Sequence, residues 1–247
     1  EKGYHVLIYM THEDMQKEIA IFKLLQNGRV DGIMLSISEQ TSDTSHLKEL
    51  QKNGIPLILF DRITEQIDVT TVTTDNMVGG MKATEHLIEK GCKRVAFLGI
   101  SKTLSVSTGR MHGYQEALKR NSMKQQDDLI LCCDGDDRKN KEQIRKLLKR
   151  KKRPDGIFAS VETLAISTYE VCEELKLNIP QDVKVIAFSN SYLAALLNPS
   201  LTGITQPAFE MGREAAAILI NLVEKKESRF HHKKTEIKSR LTVRNST

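Results

Sequence analysis

The chain has 247 residues, of which 39% are hydrophobic; that is enough for one large domain or two modest ones with buried cores, and it excludes intrinsic disorder. Lys and Arg number 37 against 32 Asp and Glu, and the resulting net charge of +5 is too small and too scattered to indicate nucleic-acid binding by itself. The longest apolar runs, such as residues 55–60, are far shorter than the roughly 20 residues a membrane-spanning helix needs, and the first residues lack the cationic, then apolar pattern of a signal peptide.

In chain order, short β-branched runs at residues 5–10, 32–35, 55–60, 94–98, 129–133, 156–159, 183–188 and 201–205 alternate with helix-length amphipathic stretches. Such a rhythm indicates an α/β protein with parallel sheets, and runs that are apolar throughout indicate strands covered on both faces. Helical stripes recur at Met15, Ile19 and Phe22, at Met77, Met81 and Ile88, at Ile144, Leu147 and Leu148, and at Ala165, Tyr169, Cys172 and Leu175. Asp75 is expected to cap the second of these helices and Gly91 to end it in a left-handed conformation. Pro207 suits the first turn of a helix running to about Val223. The methionines at helical period read as core or as a subunit contact. Eight strands are too many for one small sheet, so a crossover between two subdomains is expected in the Ser- and Thr-rich residues 101–109. After Val223 the chain turns polar through 224–234. It then alternates over 235–244 like an edge strand closing the second lobe.

Ligands of open α/β sheets bind beyond the carboxyl ends of the strands, where loops and helix N-termini meet. Those positions carry Ser36 and Ser38, Asp61 and Arg62, Ser101, Ser160 and Glu162, Ser189 and Asn190, and Gln206. Asp61 with Arg62 offers acceptors beside a rigid fork of donors, which suits a small polyol or carboxylate. No G-x-G-x-x-G, Walker A, G-x-S-x-G or H-E-x-x-H pattern occurs, so no cofactor and no nucleophile is expected. His231 and His232 are adjacent but lack a third ligand for zinc and read as a solvated loop. The basic run at residues 149–153 reads as a helix end, where positive charge complements the dipole. Cys92, Cys132, Cys133 and Cys172 show no paired spacing and read as reduced thiols, with Cys132 and Cys133 pointing to opposite faces of a strand.

With these residues laid out, nearly the whole chain resembles the effector-binding core of the LacI/GalR family of bacterial transcription regulators, which shares its fold with periplasmic sugar-binding proteins. Residues 55–62 (IPLILFDR) are similar to the family's "iPvVlvDR", and 74–99 (TDNMVGGMKATEHLIEKGCKRVAFLG) to its "DN..ga..a..hLi..Ghr.ia.l.G". Residues 110–118 (RMHGYQEAL) match "R..Gy..Al". Residues 154–166 (PDGIFASVETLAI), 179–190 (IPQDVKVIAFSN) and 201–207 (LTGITQP) are similar to "PdAif..nD..A", "vP.dv.viGfDd" and "LTtv.qp". Residues 243–247 (VRNST) resemble the closing "R.ST".

The resemblance implies two doubly wound parallel-sheet lobes of the type I periplasmic binding protein-like fold, joined by a three-strand hinge. Lobe one comprises residues 1–100 plus 206–233 and lobe two 101–205 plus 234–247. It implies a ligand-sensing core of a repressor that binds a small sugar-like effector between the lobes through Ser36, Asp61, Arg62, Arg110, Glu162, Ser189 and Gln206. Arg110 would reach the effector from the second lobe, and its loss is expected to abolish the response with little effect on unliganded stability. Glu162 and Ser189 replace the family's two aspartates and Val161 a frequent asparagine, which weakens the grip on vicinal hydroxyls. Phe188 and Tyr192 are the candidate stacking platforms, since Trp is absent.

It further implies a cytoplasmic homodimer, no membrane association, no cofactor and no enzymatic turnover, with operator DNA contacted through an N-terminal helix-turn-helix outside this chain. A strand and helix expected before residues 5–10 are absent too. The first sheet should therefore hold a gap between that run and 32–35, and direct pairing of the two would contradict a cropped sequence. The rival readings are a periplasmic binding protein of a transporter, and an enzyme with Asp61 or Glu162 as acid or base.

Overall fold

A computed structural model describes residues 3–26, 28–225 and 233–247, so the expectation for His231 and His232 lies outside the described residues. The chain divides into two compact units, Glu1–Thr73 with Met211–Thr235 and Thr74–Glu210 with Glu236–Thr247. Each is α/β.

The first unit is built on a sheet of order β1-β2-β3-β9, with β1 at Ile33–Leu35, β2 at Leu57–Phe60, β3 at Thr70–Thr74 and β9 at Lys234–Ile237. β1 and β2 are parallel with Ile33 opposite Leu57, and β2 and β3 are parallel with Ile58 opposite Thr70. Helix α1 (Met15–Leu25) starts where the Asp14 carboxylate accepts the Gln16 and Lys17 N–H groups at 2.8 and 3.2 Å, satisfying donors a helix start leaves open. It buries Glu18, Phe22 and Leu25. With Leu47 and Leu50 of α2 (Ser45–Lys52), Phe22 and Leu25 pack against Ile33, Leu35, Leu57 and Leu59.

The second unit is built on a sheet of order β10-β8-β7-β6-β4-β5. Strands β4 (Val95–Gly99), β5 (Ile130–Cys132), β6 (Gly156–Ala159), β7 (Lys184–Phe188) and β8 (Thr202–Thr205) are parallel, and β10 (Arg240–Thr242) is antiparallel to β8. The period-2 alternation of side chains divides its apolar residues between two cores. Ala96, Leu98, Ile157, Ala159, Val185 and Ala187 pack with helices α5 (Asp137–Leu148) and α6 (Glu162–Glu174). Phe97, Phe158, Ile186 and Phe188 pack with α3 (Asn76–Glu89) and α4 (Ser105–Arg120). A last helix, α7, spans Ala208–Lys225.

α3 and α4 touch backbone to backbone. A Cβ on Gly80 would lie 2.4 Å from the Arg110 carbonyl oxygen, and one on Gly113 would lie 2.1 Å from the Met77 carbonyl oxygen and 2.6 Å from the Met81 nitrogen. Beside them the fully buried Tyr114 hydroxyl donates to the Val95 carbonyl at 2.9 Å. The Gly-Tyr pair of the 110–118 motif is therefore a packing device that holds two helices on β4.

The closing motif is structural as well. Ser246 is fully buried; its hydroxyl donates to the Val185 carbonyl at 2.6 Å and accepts the Thr202 N–H at 2.8 Å. The Arg244 guanidinium donates to the Leu201 carbonyl at 2.7 Å. Removing the hydroxyl strands a buried N–H, so Ser246→Ala is expected to cost ~1–3 kcal/mol, read as a lower midpoint of urea unfolding. An unchanged midpoint would mean that this clamp contributes nothing.

Several expectations are corrected. The first crossover lies after Thr73, not in residues 101–109, which lead into α4; β4 pairs with β5 and β6 and so belongs to the second sheet, not to a lobe ending near residue 100. β3, a TTVTT segment with all five residues buried, escapes a search for apolar runs because Val72 is its one apolar residue; β-branching was the signal that could have found it. Residues 235–244 are not one edge strand, since β9 joins the first sheet and β10 the second. Asp75 makes no capping bond to α3; its carboxylate accepts the Ser239 N–H at 2.7 Å and lies 3.7 Å from the Lys82 ammonium. Residues 5–10 join no ladder among the described residues and so do not pair with β1, and Val6 and Ile8 are 81% and 82% exposed. Gly91 does take the left-handed conformation, at φ 87°. The four cysteines are free, and burial pushes the Cys92 and Cys133 thiols up to about 12.

Candidate functional site

In the first unit the ends of β1 and β2 lie side by side, and the loops beyond them stay together because the Ile37 N–H donates to the Arg62 carbonyl at 3.3 Å. Ser36 is half-buried at the end of β1. Asp61 turns the chain immediately after β2 at φ 58°, a left-handed conformation that Asp tolerates better than most residues. Its backbone N–H still reaches across to the Val72 carbonyl at 3.0 Å. Arg62 then extends its guanidinium to Glu13, Nη1 to Oε1 at 2.5 Å. The other Glu13 oxygen accepts the Glu39 N–H at 2.9 Å. Partial burial pushes the Glu13 carboxyl up, but the Glu39 N–H and the Arg62 guanidinium outweigh it and hold the group below the ordinary range.

The loop after β1 has a second anchor. Glu18, fully buried on α1, accepts the Ser38 N–H at 3.2 Å, the Thr41 hydroxyl at 3.1 Å and the His46 Nε2–H at 2.8 Å. A buried carboxylate needs this many donors to offset its lost hydration. Sequence reasoning missed Glu13, Glu18 and His46, because none stands at a strand end. Glu18 was detectable as a carboxylate on the stripe it shares with Phe22 and Leu25.

In the second unit Arg110 organises the polar residues. It is 4% exposed although it is charged. Its Nε donates to the Asn76 side-chain oxygen at 2.9 Å, its Nη1 donates to the Ser160 carbonyl at 2.6 Å, and its guanidinium lies 3.8 Å from the centroid of the Phe188 ring. The fork therefore ties α4 to α3 and to the end of β6. Phe188 is already covered by Arg110, which corrects its reading as a platform for a ligand; Tyr192 is 78% exposed. Glu162, half-buried, is the first residue of α6, where Val161 supplies no side-chain cap. The Ser160 hydroxyl just before it is buried without a hydrogen-bond partner. Ser189 follows β7 and its hydroxyl accepts the Ser191 N–H at 3.3 Å. The neighbouring Asn190 side chain accepts the Gln206 N–H at 2.7 Å, joining the loops after β7 and β8.

Thus Ser36, Asp61 and Arg62 stand together at the strand ends of one sheet, and Glu162, Ser189 and Gln206 at the strand ends of the other, where Arg110 reaches the end of β6 from α4. Ser101 behaves differently: its hydroxyl accepts the Thr103 and Leu104 N–H groups and shapes the turn into α4. Among the described residues no group of three or more His, Cys, Asp or Glu could hold a metal ion, and no helix is long and apolar enough to cross a membrane.

Residues 84–247 match the family model of the periplasmic binding protein-like domain. The chain is 29% identical over 245 residues to the ribose operon repressor of Halalkalibacterium halodurans, covering 99% of this chain and 71% of that protein. It is 29% identical over 228 residues to the HTH-type transcriptional repressor PurR of Yersinia pestis, covering 92% of this chain and 67% of that protein. A LacI family transcriptional regulator from Enterococcus faecium, solved with bound ribose, superposes with a TM-score of 0.82 at 26% identity, covering 93% of this chain and 84% of that one. These relatives are repressors and regulators, not enzymes, so Asp61 and Glu162 are not read as a catalytic acid and base. Strand order, motifs and relatives agree, and the chain belongs to the periplasmic binding protein-like domain family.

Proposed function

We propose that this chain is the sensor of a LacI-family repressor and that its effector is a sugar or sugar derivative, with Ser36, Asp61, Arg62, Arg110, Glu162, Ser189 and Gln206 as the candidate ligand-binding residues. The observation that carries this reading is the collection of hydroxyl, carboxylate, amide and guanidinium groups at the carboxyl ends of two parallel sheets, with Arg110 held in position by three separate contacts. Ribose is the first compound to test, because one relative is a ribose operon repressor and one structural neighbour holds ribose. Glu162 and Ser189, where the family pattern carries aspartates, favour a ligand with fewer vicinal hydroxyls to grip.

In this reading the effector favours one conformation of the protein over another, and the difference in its affinity for the two is the whole source of the signal. The signal passes to a helix-turn-helix carried elsewhere in the protein, acting on operator DNA in the cytoplasm. A homodimer is proposed because operator half-sites come in symmetric pairs, with α3 and its exposed Met77 as the contact. A thermal-shift screen of D-ribose, other sugars, sugar acids and nucleobases tests the reading. A ligand at about 100 times its Kd adds ~2.7 kcal/mol and a matching rise in Tm, and silence across the whole panel would refute it.

A further inference from the structure

Arg62 does not stand at the strand ends as an open cation. Glu13 comes from the loop before α1, 49 residues away in sequence, and sets one carboxylate oxygen on the Arg62 guanidinium and the other on the Glu39 backbone N–H. Three loops, those before α1, after β1 and after β2, are joined through this one side chain. The backbone is bent to deliver it: His12 and Glu13 both lie in the left-handed region, at φ 53° and 62°, as does Asp61 at 58°. Residues with a Cβ adopt that region at an energetic cost, and such outliers persist where the surroundings enforce them.

The consequence concerns charge. The Arg62 guanidinium and the Glu13 carboxylate carry single charges of opposite sign, so the pair they form is neutral. An incoming carboxylate or phosphate seeks the guanidinium fork for a paired grip; here it meets the Glu13 carboxylate already on that fork, and like charges repel. A neutral polyol avoids this conflict. Its hydroxyls donate to carboxylates and accept from guanidinium N–H groups, of which arginine has five, with one engaged by Glu13. We propose that Glu13 is a specificity-determining residue of the effector site: by neutralising Arg62 it makes the site select a neutral polyhydroxyl compound over the corresponding acid. This inference rests on the proposed sensor function and narrows its ligand class.

The test uses matched pairs, D-ribose with D-ribonate, D-glucose with D-gluconate and D-galactose with D-galacturonate, titrated by calorimetry into the wild type, Glu13→Gln and Glu13→Asp. Gln keeps the shape and an acceptor for the Glu39 N–H but removes the charge; Asp keeps the charge and serves as the second variant if the Gln protein folds poorly. The wild type is expected to bind a neutral member at least about tenfold more tightly than its acid, a difference of ~1.4 kcal/mol. Glu13→Gln should erase most of that ratio, chiefly by tightening the acid, and Glu13→Asp should retain it. A wild type that prefers an acid overturns the inference while leaving the sensor function standing, and so does an unchanged ratio in Glu13→Gln. Failure of every member of every pair to bind overturns the inference along with the sugar assignment.

Discussion

Replacing Gly113 with alanine is expected to cost ~3 kcal/mol or more, at the upper end of what overpacking does, and to abolish any effector response. The new methyl carbon would sit 2.1 Å from the Met77 carbonyl oxygen and 2.6 Å from the Met81 nitrogen. Both are helix backbone atoms, so no rotamer change relieves the clash. α3 and α4 must separate, and separation uncovers the core beneath them, where Phe97 meets Tyr114 at 5.6 Å and Phe158 at 5.3 Å. It also carries Arg110, one turn earlier on α4, away from Asn76 and Ser160. Gly212 supplies the control: it lies within α7 and a Cβ there meets nothing within 4 Å. Gly212→Ala should therefore gain ~0.5–1 kcal/mol, because glycine is entropically the poorer helix residue. Urea unfolding curves of the two variants should shift in opposite directions. Shifts of the same sign would mean that the helix contact is not as close as described.

Replacing Arg110 with alanine is expected to abolish the thermal response to effector and also to lower the stability of the unliganded protein by ~2–4 kcal/mol, summing two charge-assisted hydrogen bonds and a stacked cation discounted for water that can enter the space. The sequence-based expectation of a nearly silent change in the unliganded protein is revised for this reason. A 4% exposed guanidinium bonded to the Asn76 side chain and the Ser160 carbonyl and stacked on Phe188 belongs to the architecture as well as to the site. Arg110→Lys should fall between, since a single ammonium keeps the charge but cannot reproduce a planar fork across two acceptors. Melting temperatures with and without D-ribose separate the two effects. An Arg110→Ala protein with wild-type Tm would contradict the buried network, and one with an intact response would place the effector elsewhere.

Some of this molecule was legible residue by residue. Strands β4 and β6, and β7 after its first residue Lys184, are apolar runs because helices cover both of their faces, so composition alone marks them as interior. The motif residues Asp61, Arg62, Arg110 and Gln206 stand at strand ends or on the helix beside them, because a parallel sheet sends every strand tip to the same edge. Other parts gave no such signal. β3 is buried threonine, and its placement depends on neighbouring strands that satisfy its backbone. Glu13 and Glu18 belong to no motif, yet they hold the loops that carry the candidate residues.

The amino-acid order by itself determined the α/β class, the run of parallel strands and the family, because these depend on local periodicity and on the chemistry of short segments. Only the tertiary structure decided that the first stretch of the first compact unit ends at Thr73, that residues 235–244 serve two sheets, and that Arg62 is neutralised by Glu13. Those outcomes depend on which groups, far apart in the chain, satisfy one another's hydrogen bonds and charges, and no window of sequence contains both partners.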